Sequence, residues 1–303
     1  MLNRSLVVAT AAASLSLVAS AQAIDVTLTA GDGFGNSSFN SAGNWSNGAA
    51  PSAGNDYFTG NFRVRTPADA GSYVFGGDSL TVNNTNPDAD LVGLSYKGLG
   101  TTGVITVDNL ILDGGSINHI NGVGDLFQLD GNINVVSDST IWAKQGPINI
   151  LADVTGTGNV LVPVGDDAGR TLTLLGVNTL TGDIQADGEF VLGETGSYLF
   201  DIDGSGTNNT ITGSASAVYN GTFVFDLDDA SAAEGDSWTI TSVATQSFGE
   251  TFNVAGFTES GDVWTMGDYQ FSESTGVLSV VVPEPTSLAL VGLAGLAALR
   301  RRR

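Results

Sequence analysis

The chain has 303 residues and a mass of 30.9 kDa, enough for one large domain or two small ones around a buried core. With no cysteine and a single histidine it excludes disulfides, thiol catalysis, cysteine-ligated zinc and any multi-histidine metal site. Between Ile24 and Pro283 five cations (Arg63, Arg65, Lys97, Lys144, Arg170) face 31 acidic residues, a net charge of −26 that repels nucleic acid and anionic membrane surfaces.

Residues 1–23 read as a secretory signal peptide. Arg4 supplies the positive start, Leu6 to Val18 is apolar and small, and Ala21-Gln22-Ala23 is a small-x-small cleavage pattern for signal peptidase. The mature chain then begins near Ile24 and must hold its fold without covalent staples. Residues 24–78 read as an N-terminal cap of loops and strands, with Phe39-Asn-Ser-Ala-Gly-Asn-Trp45 and Pro51 inside it.

From Ile24 to Val282 no 3.6-residue period is sustained. Gly, Asn, Asp, Ser and Thr punctuate short runs such as Ser79-Leu-Thr-Val82, Gly103-Val-Ile-Thr-Val107, Asn132-Ile-Asn-Val-Val136, Pro147-Ile-Asn-Ile-Leu151 and Thr171-Leu-Thr-Leu174. Several alternate apolar and polar, as half-buried strands do. The class is all-β. Gly131-Asn-Ile-Asn-Val and Gly146-Pro-Ile-Asn-Ile are a weak echo, and irregular self-similarity of this kind predicts stacked coils over 79–217.

Within that range, residues 156–193 carry Thr171 to Leu175, Gly176, Asn178-Thr179-Leu180-Thr181-Gly182, Ile184 to Ala186, then Gly188 and Phe190 to Leu192. This order of strand, Gly, Asn-Thr-x-Thr-Gly turn, strand and last strand resembles the autotransporter-associated β-strand repeat, with Leu180 where the family usually has an aromatic. The resemblance implies a right-handed parallel β-helix of a secreted, passenger-like protein, and fold alone does not give function.

Candidate chemistry is sparse. Asp201-Ile-Asp203-Gly204, followed by Asn208, places alternating carboxylates before a turn, a pattern that can converge on one Ca²⁺, although EF-hand spacing is absent. A solvated β-turn accounts for the same residues. No other cofactor is expected. His119, between Ile117 and Ile120, reads as a core or corner residue rather than a base. No Gly-x-Ser-x-Gly elbow or nucleotide-binding Gly-rich loop occurs. Glycosidases need only two carboxylates at ~5–9.5 Å, whereas lyase action on uronates needs cations, and over 79–217 Lys97, Lys144 and Arg170 are scattered in sequence. The reading is therefore not an enzyme, with a β-helical glycan-degrading enzyme as the second alternative. Trp45, Trp142, Trp238 and Trp264 serve either as sugar-stacking platforms or as packing, and alternation requires that one of Ile141 and Trp142 face outward.

Residues 218–282 hold widely spaced aromatics, and Thr275-Gly276 before Val277-Leu-Ser-Val-Val reads as a hairpin turn, so antiparallel strands are expected to close this end. The last segment, 283–303, reads Pro283-Glu284-Pro285, an apolar run and Arg300-Arg301-Arg302-Arg303. Thr286 to Leu299 would make a helix of ~21 Å, short of the ~30 Å bilayer core, and the arginines favour a cytoplasmic end. This tail resembles the PEP-CTERM sorting signal of exopolysaccharide-producing Gram-negative bacteria, and the 34–80 segment resembles the opening often found in proteins that carry it. The resemblance implies processing by an exosortase, membrane contact only through the tail, and delivery to the envelope, surface or matrix. The composite expectation is a secreted structural or adhesive β-helical protein. Its alternative is a carbohydrate-binding module for exopolysaccharide.

Overall fold

The computed structural model describes residues 23–84, 92–100, 103–121, 124–204 and 206–281. The expected signal peptide (1–22 of it), the C-terminal hydrophobic helix and the sorting residues Pro283 to Arg303 lie outside the described residues. Among those described there are only strands, turns and loops, and no helix is long and apolar enough to cross a membrane.

The strands stack in parallel, each pairing with a strand roughly one coil away, and fall into three ladders. One ladder starts at Ile24–Thr27 and runs ten strands deep to Asn253–Val254. A second starts at Arg63–Arg65 and runs eight strands deep to the first half of Thr241–Phe248. The third, also eight deep, starts at Tyr73–Val74 and ends on the second half of Thr241–Phe248. The chain visits the ladders in turn, advancing 21 to 30 residues per circuit of the second ladder. This large parallel sheet with cyclic connectivity is consistent with a β-solenoid, and the all-β expectation holds.

Register lines the core. In the first ladder Val26, Tyr57, Leu80, Leu110, Ile133, Val154, Asn178, Tyr198, Phe223 and Val254 occupy one continuous column, every member buried. In the third, Ile105, Leu129, Ile150, Leu174, Leu192 and Tyr219 do the same. Their neighbours Gln128, Asn149, Thr173, Val191 and Val218 form the alternating outward column. A single coil has one residue per column and no second layer, so its apolar face is covered only when the next coil lies upon it.

Aromatic rings plug both ends. Trp45 packs edge-on to Tyr57 at 4.8 Å and Tyr57 to Phe75 at 5.3 Å. At the far end Phe271 lies 5.8 Å from Phe223 and 5.6 Å from Phe225. Phe271 belongs to a five-stranded antiparallel sheet of Ser237–Thr239, Val277–Val280, Tyr269–Ser272, Val263–Met266 and Thr258–Glu259. Its hairpin turns at Gly276, φ +67°, as the Thr275-Gly276 pair suggests.

Two sequence expectations change. The parallel ladders extend beyond 79–217 in both directions, because Ile24–Thr27, Asn55–Phe58, Thr222–Asp226 and Asn253–Val254 join them. Tyr219, Phe223 and Phe225 are inward residues of the last coils, and Phe223 and Phe225 also contact Phe271 of the closing sheet. Asn178-Thr179-Leu180, expected as a turn, lies instead in the strand Val177–Leu180. Asn178 enters the core column because its amide donates to Gly176 O (2.9 Å) and Ser197 O (2.8 Å), while Leu180 fills apolar space.

Gly156 sits at a corner with φ +115°, where an added Cβ would overlap the Val135 carbonyl of the coil beneath. Gly156→Ala is therefore expected to lower stability by more than about 1 kcal/mol. Leu129→Ala, in the middle of the third ladder, should cost about 2–5 kcal/mol. Thermal unfolding followed by far-UV circular dichroism checks both, and an unchanged melting temperature in either variant would contradict the stacking described.

Candidate functional site

The outward column of the second ladder runs Thr140, Leu161, Gln185, Thr212. With Asp138 and Asp183 on its rim it floors a surface groove of about 480 Å³. The rim is a ladder of side-chain-to-backbone bonds between successive corners. Asn159 N donates to Asp138 Oδ1 (3.0 Å), Asp183 N to Asn159 Oδ1 (2.8 Å), and Thr210 N to Asp183 Oδ1 (2.8 Å). Each carboxylate or amide satisfies a corner N–H that the strand ladders leave over. Asp187 does the same for Ser214 N (3.1 Å) and Ser214 Oγ (2.9 Å). Its pKa lies below the usual carboxylate value, chiefly through the Gln185 amide and then the Ser214 hydroxyl and backbone bonds. An ionised carboxylate so held is a hydrogen-bond acceptor for hydroxyl groups.

The tryptophans divide. Trp45, Trp238 and Trp264 are buried, their indole N–H groups donating to Ser38 O (2.6 Å), Asp203 O (3.0 Å) and Glu273 Oε1 (2.7 Å). These three are packing residues. Ile141 is buried and Trp142 half-exposed, as alternation requires. Trp142 donates to Val164 O (2.8 Å) and carries the Lys144 ammonium 4.4 Å from its ring centre.

Asp201, Asp203 and Asn208 come together in a second depression of about 290 Å³, with Asp183 and Thr181 beside them. They sit on a short excursion closed by an Ile202–Asn208 bridge. Thr207 N donates to Asp203 Oδ1 (2.9 Å), and the Asn208 amide donates to Thr239 O (2.8 Å). Asp201 also stands in register with Asp226 of the next coil, a like-charge pairing that a cation would relieve. Among the described residues no group of three or more His, Asp or Glu side chains is placed to hold a metal ion.

His119 ends the strand Ser116–His119, fully buried beside Tyr96 at 4.9 Å, with its Nε2–H donating to Asp125 O. This is the core position expected of it. Burial pushes its pKa down, and the nearby Arg170 charge acts in the same direction. Burial likewise pushes the Tyr96 phenol up to about 12.

One grouping was not foreseen from the sequence. Arg63 and Arg65 point outward on the first strand of the second ladder, flanking buried Val64, and Lys97 follows the next strand, Gly93–Tyr96. Stacking makes residues about 30 apart into neighbours, so Lys97 is clustered with two arginines rather than scattered. The signal for this was the outward Arg-x-Arg spacing with a lysine one coil later.

His119 has a folded pKa below its unfolded value of ~6.5, so the stability it permits is full above that value. That stability declines as pH falls through the window beneath ~6.5, where the unfolded state takes up the proton first. Because the chain has one histidine, a ¹⁵N imidazole titration reads it directly. A midpoint below ~6.5 is expected, and a midpoint above it would contradict the buried placement.

Comparison with known proteins adds one match. Residues 281–303 fit the PEP-CTERM protein-sorting motif. No curated protein and no solved structure matches the chain. The motif implies an exported protein sorted by an exosortase, its C-terminal tail processed at the membrane.

Proposed function

We propose that the chain is a structural or adhesive component of the cell surface or extracellular matrix, built as a right-handed parallel β-helix and not an enzyme. Signal peptidase, acting after Ala23, would release it into the export route, and the tail would hold it at the membrane until an exosortase acts. The observation that carries this reading is the union of a sorting motif at 281–303 with a long, evenly stacked body. Such a body gives reach and rigidity at low sequence complexity, which suits a displayed or matrix-bound element. The 156–193 segment supports an autotransporter-type repeat through its strand order, since Leu172–Leu174, Val177–Leu180, Ile184–Ala186 and Phe190–Leu192 follow one another around the coil.

A second reading, carbohydrate binding, is favoured by the groove at Thr140, Gln185 and Thr212 and by the nearby half-exposed Trp142 ring. Hydroxyl, amide and anchored carboxylate groups beside an aromatic face are the chemistry that recognises neutral sugars. In this reading Asp201, Asp203 and Asn208 would recruit calcium.

The test is co-sedimentation of the protein with exopolysaccharide from the producing bacterium, with calcium and with chelator, while the supernatant is assayed for released sugar. Retention without release is expected. Trp142→Ala should reduce retention a few-fold if the groove is the contact. Release of oligosaccharide would overturn the non-enzymatic reading.

A further inference from the structure

Three of the five cations between the two ends of the chain gather at one spot on the first coils, although the chain as a whole carries −22. Each of Arg63, Arg65 and Lys97 has its pKa lowered, first by burial, and for Arg65 and Lys97 next by repulsion from the other members. Like charges held together are destabilising unless something offsets them.

The nearby carboxylate of Asp32 offsets only part of this charge: one anion faces three cations, and its attraction raises the pKa of each against the burial that lowers it. Asp32 is buried, and its two oxygens are already committed. They accept Ser38 N (2.8 Å), Ser38 Oγ (2.6 Å), Asn44 Nδ2 (3.1 Å) and the backbone N–H of Arg65 (2.8 Å). These bonds tie the 32–44 loop to the first coil. Arg63 reaches the Asp32 backbone carbonyl (Nη2 to O, 3.3 Å), a neutral acceptor. Among the described residues no ion pair joins any of the three cations to a carboxylate. Arg65 is 9% exposed and its buried Nε has no hydrogen-bond partner, as is also true of Arg63 Nε. Lys97 is 4% exposed.

The cluster has an aromatic roof. The Phe34 ring stands 78% exposed, with the Lys97 ammonium 4.9 Å and the Arg65 guanidinium 5.9 Å from its centre. One face of the ring is engaged by cations and the rest meets solvent. A flat apolar ring open to solvent, above two cations that form no ion pair with a carboxylate among the described residues, matches a sugar ring that bears a carboxylate.

We propose that Arg63, Arg65 and Lys97, roofed by Phe34, form a binding site for the carboxylate of an acidic saccharide, a uronic-acid unit. The sugar face stacks on Phe34 while its carboxylate enters beside the ring and is gripped by the arginines. The near-complete cover of Lys97 and Arg65 disfavours a flat protein face, which could not reach them. The acidic body opposes a long polyanion, but at physiological salt that repulsion fades beyond ~8 Å. A short acidic oligomer is therefore the appropriate probe. The site is separate from the Thr140–Thr212 groove, so its failure leaves the co-sedimentation result to stand or fall independently.

The experiment is isothermal titration of the full chain, held in non-ionic detergent, with tri-galacturonate and with a neutral galactose trimer. The acidic trimer should bind. Lys97→Gln and Arg65→Gln should each weaken it by about tenfold or more, and Phe34→Ala should weaken it less. The neutral trimer should be insensitive to the two charge substitutions. Neutralising Arg65 should also leave the melting temperature unchanged or raise it, because a repulsion is removed. No binding of the acidic trimer to the unaltered chain overturns the proposal. So does a lower melting temperature in both charge variants with unchanged affinity, which would make the cluster purely structural. Salt-sensitive self-association lost in Lys97→Gln, without trimer binding, would assign the site to a carboxylate of a second copy and end the saccharide reading.

Discussion

The structure depends on lateral register. Each coil contributes one inward residue to each column and leaves its backbone N–H and C=O groups unmatched along both edges. Neither its apolar face nor its hydrogen-bonding edges are satisfied until another coil lies on it in the same phase. A slip of one residue would turn an entire strand inside out. The column from Val26 to Val254 shows that phase kept through ten strands, with Asn178 as its polar member. Asn178 is tolerated because its amide supplies two hydrogen bonds to backbone carbonyls. The ends, where no further coil arrives, are closed by aromatic clusters, and at the C-terminal end a separate antiparallel sheet packs over the last coil through Phe271.

The same requirement accounts for part of the acidity. A corner breaks the strand ladder and frees an N–H, and Asp138, Asp183 and Asp187 supply acceptors to the corner of the following coil. Asp183 and Asp187 each accept two or more bonds in this role and remain outside, so solubility and corner closure are served by one residue type. The cost is like-charge stacking, visible at Asp201 and Asp226. The cation cluster at Arg63, Arg65 and Lys97 is the inverse case, because among the described residues its charged groups form no ion pair with a carboxylate and only Asp32 lies near enough to attract them.

Strand class, the buried His119 and the Gly276 hairpin were legible because each rests on local chemistry: alternation, an apolar neighbourhood, and a residue tolerant of positive φ. The extent of the ladders was hidden by the long excursions at 28–54 and 227–240, which separate true coil strands and dilute their periodicity. The strand character of Asn178 was hidden because asparagine usually signals a turn, and it fits inside through the Gly176 carbonyl together with the Ser197 carbonyl of the next coil. Proximity of Lys97 to Arg65 required the length of a coil, which the irregular repeats do not specify. The sorting motif was legible because it is a linear signal that needs no fold.

The central claim is that successive coils stack in register along one axis, and spin-label distances test it most directly in this cysteine-free chain. Gln128, Asn149, Thr173, Val191, Val218 and Ser247 form one outward column of the third ladder. Cysteine introduced pairwise at Gln128 and each of the others, then labelled, should give separations that grow by about 4.8 Å per strand, to about 24 Å for Gln128 and Ser247. A distance that fails to grow monotonically along that column would contradict the stacked-coil account.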